Sequence, residues 1–141
     1  MIMNKSINSL EVGQEFTEVV VENLTRTQIV QYAGASGDFN PLHTDEPFAT
    51  EIAGYPSTFA HGMLGMALTG KLLTKLFDNI TIKKFGVRFQ NIIWPGDTLT
   101  TKIVIDKIES NAESRFIELS IHTSNQEDKI VLSGSASIET Q

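Results

Sequence analysis

The chain has 141 residues, 40% of them hydrophobic and 20% charged, with no cysteine and a formal net charge of −6. Such a length fits one domain, residues 1–141, able to bury most of the surface its unfolded form exposes. Without cysteine there is no disulfide framework or thiolate metal site, and the acidic balance argues against general nucleic-acid binding, which calls for a basic face.

The N-terminal stretch "MIMNKSINSLEVGQ" lacks the continuous apolar core of a signal peptide, and no segment approaches the roughly 18 apolar residues of a membrane span. A cytoplasmic protein with no membrane partner is therefore expected. An early strand is expected near Val12 to Val21. In "LTRTQIVQYAGASG", Thr25 and Gln28 have capping-box spacing and Leu24 and Ile29 hydrophobic-staple spacing, which predicts a helix starting near Thr25. Ile29, Tyr32 and Ala33 form its inward stripe, and Gly34 and Gly37 weaken or end it.

The run "SGDFNPLHTDEPFA" reads as the start of a long loop. Pro41 removes a backbone donor and biases Asn40 toward an extended conformation, so Asp38 and His43 sit on a bend that can aim both side chains at one point. "FAHGMLGMALTGKLLTKLF" follows, a helix apolar over most of its circumference and therefore expected to be buried. Its Gly62, Gly65, Ala67 and Gly70 leave room for another backbone or a ligand to come close.

From Ile82 onward the period changes to two. Phe85, Val87 and Phe89, then Leu99, Thr101, Ile103 and Ile105, then Ile117, Leu119 and Ile121, then Ile130, Leu132, Gly134, Ala136 and Ile138 mark the inward positions of four strands. "WPGD", "ESNAES" and "SNQED" supply turns between them. One antiparallel sheet covering one long apolar helix gives an α+β layer arrangement. Lys71, Lys75, Lys83, Lys84 and Arg88 fall in a stretch whose only acid is Asp78, either a solvated face or a local anion-binding patch.

Only three histidines occur, and two of them bear on chemistry. A carboxylate beside an imidazole, as Asp38 and His43 would be, can orient a water and move its proton near neutral pH; the same residues also compose an ordinary Asx turn beside a surface histidine. His61 and Gly62 stand where the buried helix begins, and its first amides, lacking intrahelical acceptors, attract developing negative charge. His61 reads equally as a core or capping histidine, and His122 on a strand as structural or exposed. A zinc site would need His43, His61 and a carboxylate to converge, and no H-E-x-x-H or C-x-x-C spacing is present; neither metal nor cofactor is expected. Nucleotide-binding glycine patterns and a G-x-S-x-G elbow are absent.

The runs "YAGASGDFNPLHTDEPFA", "FAHGML" and "VRFQNIIWPGDTL" together closely resemble the MaoC-like hydratase family, the (R)-specific enoyl-CoA hydratases with the hydratase 2 motif, over nearly the whole chain. The resemblance implies a hot-dog fold, in which an antiparallel sheet wraps a long central helix, and a homodimer with sheets joined edge to edge and an acyl tunnel near the interface. It implies Asp38 and His43 as the catalytic pair, the Gly62 amide as the oxyanion hole, and Asn40 and His61 in support. The implied reaction is reversible hydration of a trans-2-enoyl-CoA to the (R)-3-hydroxyacyl-CoA. The alternatives are dehydration of a (3R)-hydroxyacyl chain on an acyl-carrier protein, or a hot-dog thioesterase. Lys83, Lys84 or Arg88 would then contact the phosphates of the thioester carrier.

Overall fold

The structure is a computed structural model in which residues 9–140 are described; residues 1–8 of the N-terminal stretch, and residue 141, lie outside the described residues. In chain order the elements are β1 (Glu15–Val21), α1 (Arg26–Ser36), α2 (Pro41–Thr44), a π-helical turn (Phe48–Ile52), α3 (Gly62–Leu76), β2 (Ile80–Phe89), β3 (Leu99–Ser110), β4 (Arg115–Ser124) and β5 (Ile130–Thr140). The strands form one sheet in the order β1-β3-β4-β5-β2, every neighbouring pair antiparallel. Its inner face packs on α3, the α+β hot-dog arrangement expected from the sequence.

Period-two patterning sorts the side chains as predicted along β3 and β4. Leu99, Thr101, Ile103, Ile105, Ile117, Leu119 and Ile121 are all fully buried; the isoleucines and Leu119 cluster with Leu72, Leu73, Leu76 and Phe77 from α3 and its end, and Leu99 joins a second cluster with Leu24, Ile29, Ile93 and Leu132. Each such aliphatic side chain removed from water contributes about 1.5–3 kcal/mol before the entropy of ordering it. One polar thread crosses this interface: Thr69 on α3 lies 2.9 Å from the Thr123 hydroxyl, which lies 2.8 Å from that of Thr101. It fixes the position of α3 along the sheet, since sliding the helix would leave buried hydroxyls unpaired.

Four expectations need correction. "WPGD" forms the turn its residues signal, Asp97 N donating to the Trp94 carbonyl at 3.1 Å, but the strands on either side are not neighbours: β2 pairs with β5 at the sheet's edge, and residues 90–98 carry the chain across to β3. The period-two pattern specifies which face of a strand is buried but not which strand lies beside it. Ile130 points outward while Val131 and Leu132 are both buried, because the β4–β5 pairing shifts register between Thr123 and Ser124. The loop after α1 contains α2 and the π-helical turn, both too short to show a period. Finally, α3 is buried on one side only: Gly65, Thr69, Leu72, Leu73 and Leu76 face the sheet, whereas Met63 is half exposed and Ala67 exposed.

The helix glycines serve the close approach that the sequence suggested. A Cβ added at Gly62, Gly65 or Gly70 would fall 2.9, 2.7 or 2.9 Å from the side chains of Phe89, Ile93 or Phe85. A tighter constraint sits within the sheet, where a Cβ at Gly134 would lie 2.0 Å from the Gly86 carbonyl oxygen and 2.7 Å from Val87 Cα, both backbone atoms that cannot rotate aside. Gly134→Ala is therefore expected to lower stability by at least about 1–3 kcal/mol, as overpacking does. Thermal unfolding checks this against Gly86→Ala, whose added Cβ meets nothing within 4 Å and is expected to be nearly neutral.

Candidate active site

The site is assembled by short-range capping before any long-range contact is made. Thr25 caps α1 with the predicted box: its Oγ1 accepts from Gln28 N at 3.1 Å, and Gln28 Oε1 accepts from Thr25 N at 2.8 Å. Gly37, with φ of 74°, ends the helix in the left-handed conformation that glycine adopts without strain. The chain then turns through a relay of side-chain bonds. Asp38 N donates to Ser36 Oγ at 3.2 Å, Asn40 N to Asp38 Oδ1 at 3.2 Å, and Leu42 N to Asn40 Oδ1 at 3.0 Å. Asn40 is extended before Pro41, as expected, and caps α2, on which His43 rides. Asn40 thus holds the turn between Asp38 and His43.

His43 Nδ1 lies 2.7 Å from the Phe59 carbonyl oxygen. A carbonyl only accepts, so Nδ1 carries the proton and Nε2 presents its lone pair. The His43 ring stacks on His61 with centroids 3.7 Å apart and planes at 29°. Burial lowers the His43 pKa below its ordinary value of 6.5; the nearby His61 adds to this, while the bond to Phe59 and the Asp38 carboxylate oppose it. At neutral pH the imidazole is an available base. Asp38, half exposed beside it, keeps the pair open to water.

Asp38, His43 and His61 each bring a ligand-type atom within 4.8 Å of the others, a convergence that sequence spacing did not reveal. Each histidine commits one nitrogen to a backbone carbonyl, which fixes its tautomer and leaves the other nitrogen with a lone pair able to take a proton.

At the start of α3, His61 stands at the N-cap position with no side-chain capping bond, leaving the first-turn amides at Gly62 uncapped. Gly62 and Phe59 line a cavity of about 290 Å³ with Ala60, Phe89, Ile93 and Val131. Phe59 thus lies between the two, accepting from His43 through its carbonyl and lining the cavity, while Asp38 and His43 are not themselves among the cavity's lining residues.

Three supporting contacts were invisible in the sequence. The Phe59 carbonyl is a backbone group with no residue signature. Tyr32, read only as part of an inward stripe, sets its ring edge on His61 at 5.0 Å. Arg26 at the start of α1 bonds Glu46 and donates to Thr58 Oγ1 at 2.8 Å, while Thr58 N donates to Glu46 Oε2 at 3.1 Å. This clamp braces the residue preceding Phe59 across separations of 20 and 32 residues.

The basic residues lie elsewhere. Lys83 pairs with Glu139, and Lys84 and Arg88 are exposed on β2, alternating with the helix-facing Phe85 and Val87. His122 is exposed on β4. No helix among the described residues is long and apolar enough to cross a membrane.

The family profile described as MaoC like domain matches residues 8–126. The chain is 42% identical over 73 residues to the 3-hydroxyacyl-thioester dehydratase Y of Mycobacterium tuberculosis, covering 48% of this chain and 24% of that protein. It is 30% identical over 101 residues to the peroxisomal enoyl-CoA hydratase 2 of Arabidopsis thaliana, covering 70% of this chain and 32% of that one. The chain thus spans less than a third of the length of these two curated relatives. Among solved structures, the (R)-hydratase from A. caviae involved in PHA biosynthesis superposes with a TM-score of 0.79 at 23% identity, covering 94% of this chain and 97% of that one. A MaoC-like dehydratase from Rhodospirillum rubrum gives 0.80 at 22% identity, covering 95% and 94%. These superpositions show the fold.

The clamp carries a pH signature. Arg26 first, then the Thr58 amide, hold the Glu46 carboxyl down at about 2 against an ordinary 4.5. A carboxylate with a depressed folded pKa contributes stability above its unfolded pKa and loses it as pH falls toward the folded one. Glu46→Gln is therefore expected to lower the melting temperature at pH 6, and the gap to the unaltered protein should close between about pH 4.5 and 2. Melting curves across that range check it; a gap constant with pH would exclude the linkage.

Proposed function

The chain belongs to the MaoC-like domain family, and from that premise we propose that it adds water across the double bond of a trans-2-enoyl-CoA to give the (R)-3-hydroxyacyl-CoA, and catalyses the reverse dehydration. The observation that carries this reading is the approach of Asp38 and His43 to each other beside the uncapped first turn of α3. Asp38 and His43 hold one water between them. Its hydroxyl bonds to C3 as the C2–C3 π pair moves toward the carbonyl, and a proton returns to C2. The Gly62 amide receives the thioester oxygen while it carries enolate charge, with the α3 dipole behind it. Binding alone would need neither a proton-transferring pair nor an amide aimed at developing charge.

A homodimer belongs to the same reading. β2 is ten residues long and lies at the sheet's edge, leaving one row of its backbone groups without a strand partner among the described residues. Pairing with a second copy would cover that row and bring the two copies together beside Phe89 and the cavity.

The test uses crotonyl-CoA or a somewhat longer trans-2-enoyl-CoA. The conjugated enoyl absorbance is expected to disappear without release of free thiol, and the product to be the (R) isomer. Asp38→Asn and His43→Asn are each expected to lower kcat by about 10²–10⁴-fold. The double variant should cost far less than the product of the two, because both act on one water. Thiol release at the rate of enoyl loss, abolished by His43→Asn, would instead indicate a thioesterase. Reaction only with enoyl chains on a carrier protein would indicate the carrier-protein dehydratase.

Lys84 and Arg88, with Lys83 partly occupied by Glu139, supply the positive charge for the carrier's phosphates. Lys84→Glu and Arg88→Glu are expected to raise KM and weaken its salt dependence with kcat little changed. An unchanged KM would return these side chains to a solvated face.

A further inference from the structure

His61 is the most buried charged-type side chain near the site, 2% exposed, yet it is not satisfied as a core histidine would be. Its Nε2 lies 2.9 Å from the backbone carbonyl oxygen of Asp38 and 4.0 Å from Asp38 Oδ2. Because the carbonyl only accepts, Nε2 bears the hydrogen and Nδ1 bears a lone pair. Among the described residues, that Nδ1 is the one buried side-chain polar atom without a hydrogen-bond partner. An apolar ring of similar shape would fill the same space without this desolvation cost, so packing does not account for a histidine here.

What the histidine does that a phenylalanine would not is donate to Asp38. It is also the buried side chain that reaches both members of the reactive pair: it bonds the backbone of one and stacks on the ring of the other at 3.7 Å. Tyr32 braces its ring from the α1 side at 5.0 Å. The turn from Ser36 to Asn40 is exposed and held by its own short side-chain bonds, so the bond to His61 is its tie to the buried frame of α3.

We propose that His61 is the positioning residue of the acid–base pair, its Nε2–H holding the Asp38 carbonyl while its ring face sets the plane of His43. This rests on the function proposed above and assigns His61 a role in that reaction without contact to substrate. A displacement of about 1 Å in a catalytic group can cost on the order of 10²-fold in rate, which is the scale expected here.

The first readout needs no turnover. Long-range proton–nitrogen correlation spectra of the unaltered protein at neutral pH are expected to show His61 protonated at Nε2 and bare at Nδ1; the opposite tautomer overturns the assignment whatever reaction is catalysed. The second is a pair of variants. His61→Phe keeps a ring against His43 and loses the donor, and is expected to lower kcat for enoyl hydration about 10²-fold with KM within about threefold. His61→Gln restores an N–H near the Nε2 position and is expected to recover at least about tenfold of that loss. A role in packing alone would lower the melting temperature without separating kcat from KM and would favour the phenylalanine. Unchanged kcat in His61→Phe, or a glutamine variant no better than it, overturns the proposal. Should His61→Phe fail to fold, the tautomer and a His61→Gln kcat within about tenfold of the unaltered protein decide. Failure of the unaltered protein to hydrate any enoyl thioester would count against the function above, and the tautomer would still decide the role of His61.

Discussion

The position of the first turn of α3 governs everything at the site. His61 and Gly62 occupy that turn, and the residues just before it supply the carbonyl that orients His43. Ala60 N donates to the Ile93 carbonyl at 2.9 Å, so the approach to the helix is held by the segment crossing from β2 to β3. Downstream, the buried hydroxyl contact from Thr69 to Thr123 fixes where α3 lies along the sheet. A helix is rigid over two turns, so a hydrogen bond at Thr69 sets the location of an amide at Gly62. The interior of the fold and the geometry of the site are one constraint seen at two ends.

Around that fixed point Asp38 and His43 are held by different means. His43 is gripped through α2: Phe59 N donates to the Leu42 carbonyl at 3.3 Å while the Phe59 carbonyl accepts from His43 Nδ1 at 2.7 Å. Both backbone groups of one residue thus orient one ring and fix its tautomer. Asp38 is tied only through its backbone and a turn of short side-chain bonds, and its carboxylate remains open to solvent. An imidazole whose pKa is lowered by burial thus stands beside a carboxyl side chain that stays half exposed to solvent.

What was legible in the sequence was whatever is decided within a few residues. The Thr25–Gln28 box, the end of α1 at Gly37, the extended Asn40 before Pro41 and the alternation along β3 and β4 follow from local sterics and period, and the structure reproduces each. The junction of His61 with Asp38, across 23 residues, leaves no local mark. Neither does the Arg26–Glu46–Thr58 clamp, whose members look like ordinary surface residues until the chain folds back on itself. Strand order was hidden for the same reason. A turn signal such as Pro95-Gly96 says that the chain bends, and only the packing of β2 against β5 says where it goes afterwards.

β2 joins these two levels. On its inner side, Phe85 and Phe89 lie against the helix at Gly70 and Gly62, so the strand presses on α3 near both the middle and the reactive end. On its outer side it carries Lys84 and Arg88, a local positive charge on a chain whose net charge is −6. The period of two that separates these faces also separates their consequences. A change to an inward aromatic acts on the packing of α3 at Gly62 and Gly70. A change to an outward cation acts on the local field of an acidic chain. Either face of this ten-residue strand can therefore be altered with little effect on the other, because the backbone between them is pinned along its length by β5.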